Sequence, residues 1–222
     1  MKSLIIVSHP SIETSLNQQF FKEATSRLDV TWHHLEAHYP DGTIDLGAEL
    51  ELLRMHDRII FQFPFYWYSA PAYLKRWQDT VLEHATQMLN KKELGIVLTT
   101  GVSEKEYQAG GKEEYTISEF LRPYQRIAHK FNMTFLPPFV MAQFIYQTEE
   151  KKWERLIAYQ QYLTLEGKST LVHRIEWFIE QLKNLALFPV MEQTKQEYVI
   201  DYLAKEKEEI EELMFILQEL KE

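Results

Sequence analysis

Short apolar, largely β-branched runs alternate with stretches of helical spacing five times over the first 165 residues, and this alternation constrains the fold more than any other property of the chain. The runs are Leu4–Val7, Val30–Leu35, Arg58–Phe63, Leu94–Leu98 and Met133–Leu136. Leu4-Ile5-Ile6-Val7 has no polar alternation, the pattern of a strand buried on both faces. After the first run, Leu16, Phe20, Phe21, Ala24 and Leu28 recur at helical spacing. Residues 46–55, 71–85, 120–131 and 149–165 read as further helices. Ser69 is a candidate cap for the helix entered at Pro71, and Pro123, unwelcome beyond a first turn, sets the start of the third of these near Leu121. The chain therefore reads as α/β, a doubly wound five-stranded parallel sheet with helices on both faces. In such sheets ligands bind beyond the carboxyl ends of the strands.

Residues 169–222 differ in character. They read as two helices, 171–187 and 194–221, parted near Phe188-Pro189, so the expected organisation is a sheet domain over 1–168 and a C-terminal helical extension over 169–222. The last helix carries Val199, Leu203, Glu206, Ile210, Leu213, Leu217 and Leu220 at 4-3-4-3 spacing, with Glu206 interrupting the apolar seam. An amphipathic helix packed on its own domain and a coiled-coil seam for another subunit both fit this pattern.

Charge and cysteine content narrow the function. Lys and Arg total 24 against 33 Asp and Glu, a net charge of −9, so the chain lacks the basic footprint of a general nucleic-acid binder. A phosphate-bearing ligand stays possible, because N–H groups at a helix start hold phosphate without basic side chains. No cysteine is present, which removes disulfides, thiolate metal sites and cysteine nucleophiles and suits a reducing cytoplasm. The Leu4–Val7 run is too short for a signal-peptide core, and no stretch approaches the roughly 18 apolar residues of a membrane span. A soluble, cytoplasmic protein is expected.

Three loops follow strand ends. Ser8 to Asn17 leads into a helix start crowded with Thr14, Ser15 and Asn17, where free N–H groups, the helix dipole and His9 could hold phosphate; Thr14 or Ser15 as a plain helix cap explains the same residues. The chain has neither a P-loop lysine motif nor GxGxxG. Pro64-Phe65-Tyr66-Trp67-Tyr68-Ser69 sets four consecutive aromatics beyond a strand end, which suits a flat, stackable ligand or an aromatic subunit interface. Thr99-Thr100-Gly101-Val102, followed by Tyr107, offers hydroxyls at a glycine turn that a side chain would block. His34 and His38, with His33 beside them, have the spacing of a helical metal-ligand pair but fall at an expected strand end, so no metal site is expected.

Together the loops resemble the flavodoxin-like NAD(P)H:quinone oxidoreductase family. The most specific match is Phe61 to Trp77 (Phe-Gln-Phe-Pro-Phe-Tyr-Trp-Tyr-Ser-Ala-Pro-Ala-Tyr-Leu-Lys-Arg-Trp). It is especially similar to the bacterial branch that includes the ancillary subunits of glutathione-gated potassium-efflux systems. His9-Pro10 with Ser15 and Asn17, then Thr99-Thr100-Gly101 and Leu136-Pro137-Pro138-Phe139, complete a likeness covering residues 1 to 165.

By that resemblance, His9, Ser15, Leu16 and Asn17 hold the phosphate of FMN (or the pyrophosphate of FAD). Pro64, Phe65, Tyr66, Trp67 and Tyr68 line the isoalloxazine, and Thr99, Thr100, Gly101 and Val102 close its other side. Tyr107 stands where family members carry a tyrosine used in hydride transfer. Val102 replaces a usual second glycine, and Glu113 stands where the animal enzymes have a histidine, so no tyrosine–histidine relay carries over. The implied activity is ping-pong hydride transfer from NAD(P)H through the flavin to a quinone, by a homodimer with the ring at the subunit boundary. The alternatives are a flavin-binding ancillary subunit of a membrane potassium-efflux transporter, and reduction of nitro or azo compounds.

Overall fold

In the computed structural model every residue of β1 (Ser3–Val7) is buried, as an unbroken apolar run requires. Its side chains alternate between two cores. Leu4 and Ile6 enter one with Leu53, Trp77 and Tyr124; Ile5 and Val7 enter the other with Phe21 and Tyr159. Each such side chain contributes about 1.5–3 kcal/mol of burial, which fixes β1 at the centre of the molecule's first unit. The structure describes residues 1–167, 169–184 and 193–220. It divides into two compact units, Met1–Leu163 and Thr164–Glu222.

In the first unit the order is β1, α1 (Leu16–Thr25), β2 (Val30–His34), α2 (Leu35–His38), α3 (Leu46–Met55), β3 (Arg58–Pro64), α4 (Ala72–Val81) and β4 (Glu93–Thr100). Then come α5 (Ile117–Phe120), α6 (Arg122–Lys130), β5 (Thr134–Phe135), β6 (Phe139–Ala142) and α7 (Glu149–Thr164). All pairings are parallel, in the order β2-β1-β3-β4-β5, with β6 also on β4. The expected doubly wound sheet is thus present, with α3, α4 and α6 supplying one core and α1 and α7 the other.

Its outer lane corrects the sequence reading. The fifth strand was expected to run from Met133 to Leu136 and stop at Pro137-Pro138. It is instead two residues long, and the lane resumes beyond the prolines as β6. β5 pairs Leu94 with Phe135, whereas β6 pairs Val97 with Phe139, a register shift of one residue. Neither proline can donate to a ladder, and the Ile96 backbone left facing the gap is met from α7: its N–H donates to the Tyr162 hydroxyl at 3.0 Å. Gly95 makes room, since a Cβ there would stand 2.6 Å from that hydroxyl.

Helix boundaries follow local chemistry. The helix expected to start near Leu121 does so, with Leu121 at the cap position of α6; the short α5 before it opens at a capping box, in which the Thr116 hydroxyl accepts the Glu119 N–H and the Glu119 carboxylate accepts the Thr116 N–H. Pro123 then fits the first turn of α6. Ser69 does not cap α4. It closes a turn with Tyr66, and Pro71 takes the cap position. The second strand stops at His34, and Leu35–His38 forms a helical turn rather than strand end. Lys92, just ahead of β4, aims its ammonium at the carbonyls of Leu53, Arg54 and His56 and so closes the C-terminus of α3.

Glu49 of α3 is fully buried. Its carboxylate accepts from His33 Nε2 (2.6 Å), the Tyr39 hydroxyl (2.6 Å) and Trp77 Nε1 (2.8 Å). Burial alone would raise its pKa, but these bonds outweigh it and hold the group below the ordinary carboxylate value.

The second unit contains α8 (Leu171–Lys183) and α9 (Gln193–Glu219). The expected break at Phe188-Pro189 lies outside the described residues. Thr170 caps α8, Trp177 and Leu182 are buried, and Lys207 pairs with Glu176 at 2.7 Å. Along the α9 seam Val199, Leu203, Glu206 and Ile210 are half-buried, whereas Leu213, Leu217 and Leu220 are exposed. At 27 residues against 13, α9 is about twice the length of α8.

Candidate functional site

The strand order reverses between β1 and β3, and the loops at the carboxyl ends of the strands meet there. They enclose a cavity of about 240 Å³. Nine residues singled out from the sequence border it together: His9, Ser15, Asn17, Pro64, Phe65, Tyr66, Thr99, Thr100 and Gly101. Leu16, Trp67, Tyr68, Val102 and Tyr107 stand outside that lining.

One end of the cavity is a helix start. A 3-10 turn over Ile12–Thr14 delivers Ser15 as the cap of α1, its hydroxyl accepting the Gln18 N–H at 3.4 Å. Ser15 therefore caps the helix and borders the cavity at once. Leu16 and Asn17 are the first residues of α1, whose N–H groups have no intrahelical acceptor. Asn17 Oδ1 is buried without a hydrogen-bond partner. Beneath, Tyr159 donates to Gln62 and Gln62 to Gln18, both at 2.7 Å, tying α7, β3 and α1 together under the site.

His9 is buried at the end of β1, its ring 6.2 Å from that of Tyr66. Its Nδ1 accepts the Ser11 N–H at 3.1 Å, so the neutral ring carries its proton on Nε2. Burial lowers the His9 pKa, a pull that the Glu36 carboxylate opposes. Glu36 in turn accepts from the Ser8 hydroxyl at 2.7 Å.

The aromatic loop is a two-residue hairpin. Tyr66 and Ser69 exchange backbone hydrogen bonds at 3.0 Å, and Trp67 and Tyr68 between them have φ of 49° and 64°. Type I′ turns normally place Gly or Asn there, because side chains crowd the left-handed region. Phe65 and Tyr66 spend their N–H groups on Thr99 and on Ser69. That leaves Trp67 and Tyr68 as the turn's central donors, outside any backbone hydrogen bond. Trp67 is 92% exposed at the tip, and Tyr68 stacks on Phe120 with centroids 5.2 Å apart. Tyr68 also hydrogen-bonds the Glu113 carboxylate, which raises its pKa.

The third loop is held from behind. Tyr107 is buried, and its hydroxyl meets Thr100 Oγ1 at 3.0 Å; the same oxygen accepts the Val102 N–H at 3.1 Å. Tyr107 thus acts on the cavity through Thr100, as a positioning residue. Gly101 differs from its sequence reading: its φ is not positive, and an added Cβ would meet no atom within 4 Å. The space it keeps open is the cavity's own.

A fourth wall went unread in the sequence. Gln143, Phe144, Ile145 and Tyr146 follow β6 and border the cavity. Gln143 turns the chain with φ of 49° and donates its N–H to the Thr100 carbonyl at 2.9 Å. The signal was the apolar run Phe139-Val140-Met141-Ala142 beyond the prolines.

The lining combines an apolar slot with a helix start whose N–H groups suit an anion and whose orphaned Asn17 Oδ1 suits a hydroxyl, and the Trp67 and Tyr68 N–H groups lie just beyond it, which fits a planar ring carrying a polar chain and an anionic tail. The histidines serve the scaffold: His33 is bonded to Glu49, and His34 Nε2 lies 3.3 Å from the His9 carbonyl. Among the described residues no group of three or more His, Asp or Glu could hold a metal ion. No described helix is long and apolar enough to cross a membrane.

Comparison with known proteins is consistent with this geometry. A family model for the flavodoxin-like fold matches residues 1–163. An uncharacterized NAD(P)H oxidoreductase, YrkL of Bacillus subtilis, is 42% identical over 169 residues, covering 72% of this chain and 97% of the relative. The potassium-efflux ancillary protein KefG of Cronobacter sakazakii is 40% identical over 147 residues, 63% of this chain and 80% of its own. Among solved structures, an NADPH-quinone reductase from P. pentosaceus superposes with a TM-score of 0.71 at 44% identity, over 75% of this chain and all of that one. General stress protein 14 of Treponema denticola, in complex with FMN, gives 0.66 at 30% identity, over 74% of this chain and all of that one.

Proposed function

This chain belongs to the flavodoxin-like fold family, and from that premise we propose that it is a flavin-dependent NAD(P)H:quinone oxidoreductase whose flavin, FMN or FAD, occupies the cavity at the carboxyl ends of β1, β3, β4 and β6. The observation that carries this reading is the cavity's lining. A helix start with an unpartnered Asn17 Oδ1 stands at one end, and the Phe65–Tyr66 and Thr99–Gly101 segments flank the slot beyond it.

Bound there, the flavin supplies two-electron hydride exchange with a nicotinamide and then with a quinone. The chain's part is binding and orientation. The N–H groups of Leu16 and Asn17, with the His9 Nε2 proton, hold the anionic tail. Phe65 and Tyr66 give the ring an apolar wall, and the Trp67 and Tyr68 N–H groups reach its polar edge. Thr100, fixed by Tyr107, closes the opposite rim. A homodimer completes the reading: Trp67, Ile145 and Tyr146 are all exposed around the mouth, and a second copy would cover them.

Purified protein tests this directly. It should be yellow, bleach with NADPH and recolour with a quinone, and heat should release a cofactor that co-migrates with FMN or FAD. Colourless protein that refuses both flavins defeats the reading. A second role, as a flavin-binding ancillary subunit of a membrane transporter, is favoured by the similarity to KefG. Partner capture by the full chain, measured beside its quinone reduction, separates the two roles.

A further inference from the structure

The second unit has no role in the reaction proposed above, and its longer helix ends in apolar surface. α8 and α9 run antiparallel: Lys207 pairs with Glu176 at 2.7 Å, and Gln196 Nε2 donates to the Leu182 carbonyl. In that register α8 starts about level with Glu212, so the last turns of α9 overhang it. Leu213, Met214, Phe215, Ile216, Leu217 and Leu220 are all exposed there. A helix apolar on every side is normally a buried one.

The same pair of helices holds a hollow of matching size. A groove of about 390 Å³ runs between them, its apolar residues Ile179, Ile200 and Ala204 and its ammonium groups Lys183 and Lys207. On α9 it spans residues 200–208, about 12 Å, and the overhang over 213–220 is about as long. The two segments flank Ile210 at nearly equal distances along one helix. Helical spacing sets their faces as well. Phe215 continues the groove face of Ile200, Ala204 and Glu208, whereas Met214 and Leu217 continue the half-buried stripe of Val199, Leu203 and Ile210.

We infer that this helix pair joins two copies of the chain, antiparallel about a two-fold axis near Ile210, with the overhang of each α9 lying in the other's groove. Such a joint is self-complementary, as a two-fold interface must be. The Phe215 ring of one copy comes over Ala204 of the second copy, where a methyl side chain leaves room for it, and the second copy's α8 covers Met214 and Leu217. Two overhangs and two grooves closing together take about 1,200 Å² out of water, the lower end for a specific interface. Charge opposes this only mildly. Near the axis Glu208 and Glu211 approach their own counterparts, with Lys207 of each copy between them, 3.6 Å from its own Glu211. The joint is separate from the contact proposed at the cavity mouth and does not depend on the flavin.

The chain has no cysteine, so one introduced thiol reports the joint in the whole protein. Glu211 and Gln218 are both exposed. Across the antiparallel pair residue 211 meets its counterpart nearly face to face, whereas the two copies of residue 218 stand about 24 Å apart along the helices. Under mild oxidation Glu211→Cys should therefore become a disulfide-linked dimer, and Gln218→Cys should stay reduced. Phe215→Glu, added to Glu211→Cys, should abolish the trapping, and by sedimentation it should weaken self-association through this joint about 100-fold. Ile216→Glu, at another exposed apolar residue but one turned away from the groove face, should change it less than about threefold.

Equal trapping of both thiols would mean chance collision or a parallel pairing. Trapping of neither would mean that the overhang is covered in another way, by the rest of the chain or by a different partner. Either result overturns the inference, and so does a Phe215→Glu protein that self-associates as wild type does. Copies held only at the cavity mouth give that last pattern. Flavin binding and NADPH turnover on the same samples judge the reductase reading separately.

Discussion

Replacing Trp67 by glycine should stabilise the protein while impairing the site. Trp67 holds φ of 49° at the first central position of the Tyr66–Ser69 hairpin, and with 92% of its surface exposed within one copy it has little packing to lose where the single copy prevails, at low protein concentration. A bulky residue in the left-handed region costs about 1–3 kcal/mol. Glycine removes that cost but returns roughly 0.5–1 kcal/mol through the freedom it adds to the unfolded chain. The net gain is about 1 kcal/mol, which for a chain of this size raises Tm by roughly 2–4 °C. Tyr68 is the control. Its φ of 64° carries the same strain, but it stacks on Phe120 and bonds Glu113, so Tyr68→Gly forfeits contacts that Trp67→Gly does not. Circular-dichroism melts of both variants at fixed protein concentration measure the difference, and flavin titration and NADPH turnover report the site. A Trp67→Gly protein that melts below wild type refutes the strain argument and means that the indole is packed in solution.

Gly101→Ala should leave the melting temperature of flavin-free protein unchanged and weaken flavin binding about tenfold, since the added methyl meets only open cavity; a lowered Tm would contradict this. Gly95→Ala should cost about 1–3 kcal/mol, because its Cβ would stand 2.5 Å from Ile60 Cδ1 and 2.6 Å from the Tyr162 hydroxyl; a urea midpoint equal to wild type would count against it. Glu49→Gln should lose about 1.5–3 kcal/mol at neutral pH through its three buried donors. The Glu49 pKa is depressed on folding, so its stabilisation is full above about 4.5 and fades as pH falls through the folded value; a wild-type-to-variant gap that stays constant into acid speaks against the account.

Much of this molecule was written locally. Leu4–Val7 announced a buried strand because nothing polar interrupts it, and Arg58–Phe63 because Gln62 alone breaks the apolar run that follows Arg58. The three loops were findable because strand ends in such a sheet converge whatever their separation in sequence. What stayed hidden depended on partners far along the chain. Pro137-Pro138 reads as a stop, yet the lane continues beyond it as β6, with Tyr162 from a later helix meeting the Ile96 N–H at the gap, and brings Gln143–Tyr146 to the cavity. Pro123 set the start of α6 near Leu121, but the capping box of Thr116 and Glu119, which opens the short α5 ahead of it, went unread. Tyr107 was legible as a residue but not as one that meets the cavity from behind, through Thr100 and the Phe65 ring. Asn17 suggested an anchor, whereas the isolation of its oxygen is a matter of packing.

The interrupted outer lane also governs how the molecule meets others of its kind. Sheet borders invite foreign strands, and a long, flat border is a template for aggregation. Here that side offers one ladder of two residues and one of four, offset by a step and parted by two imino acids that cannot donate. An intruding chain would lose register before it gained a third bond, so crowding at this flank should not seed fibrils.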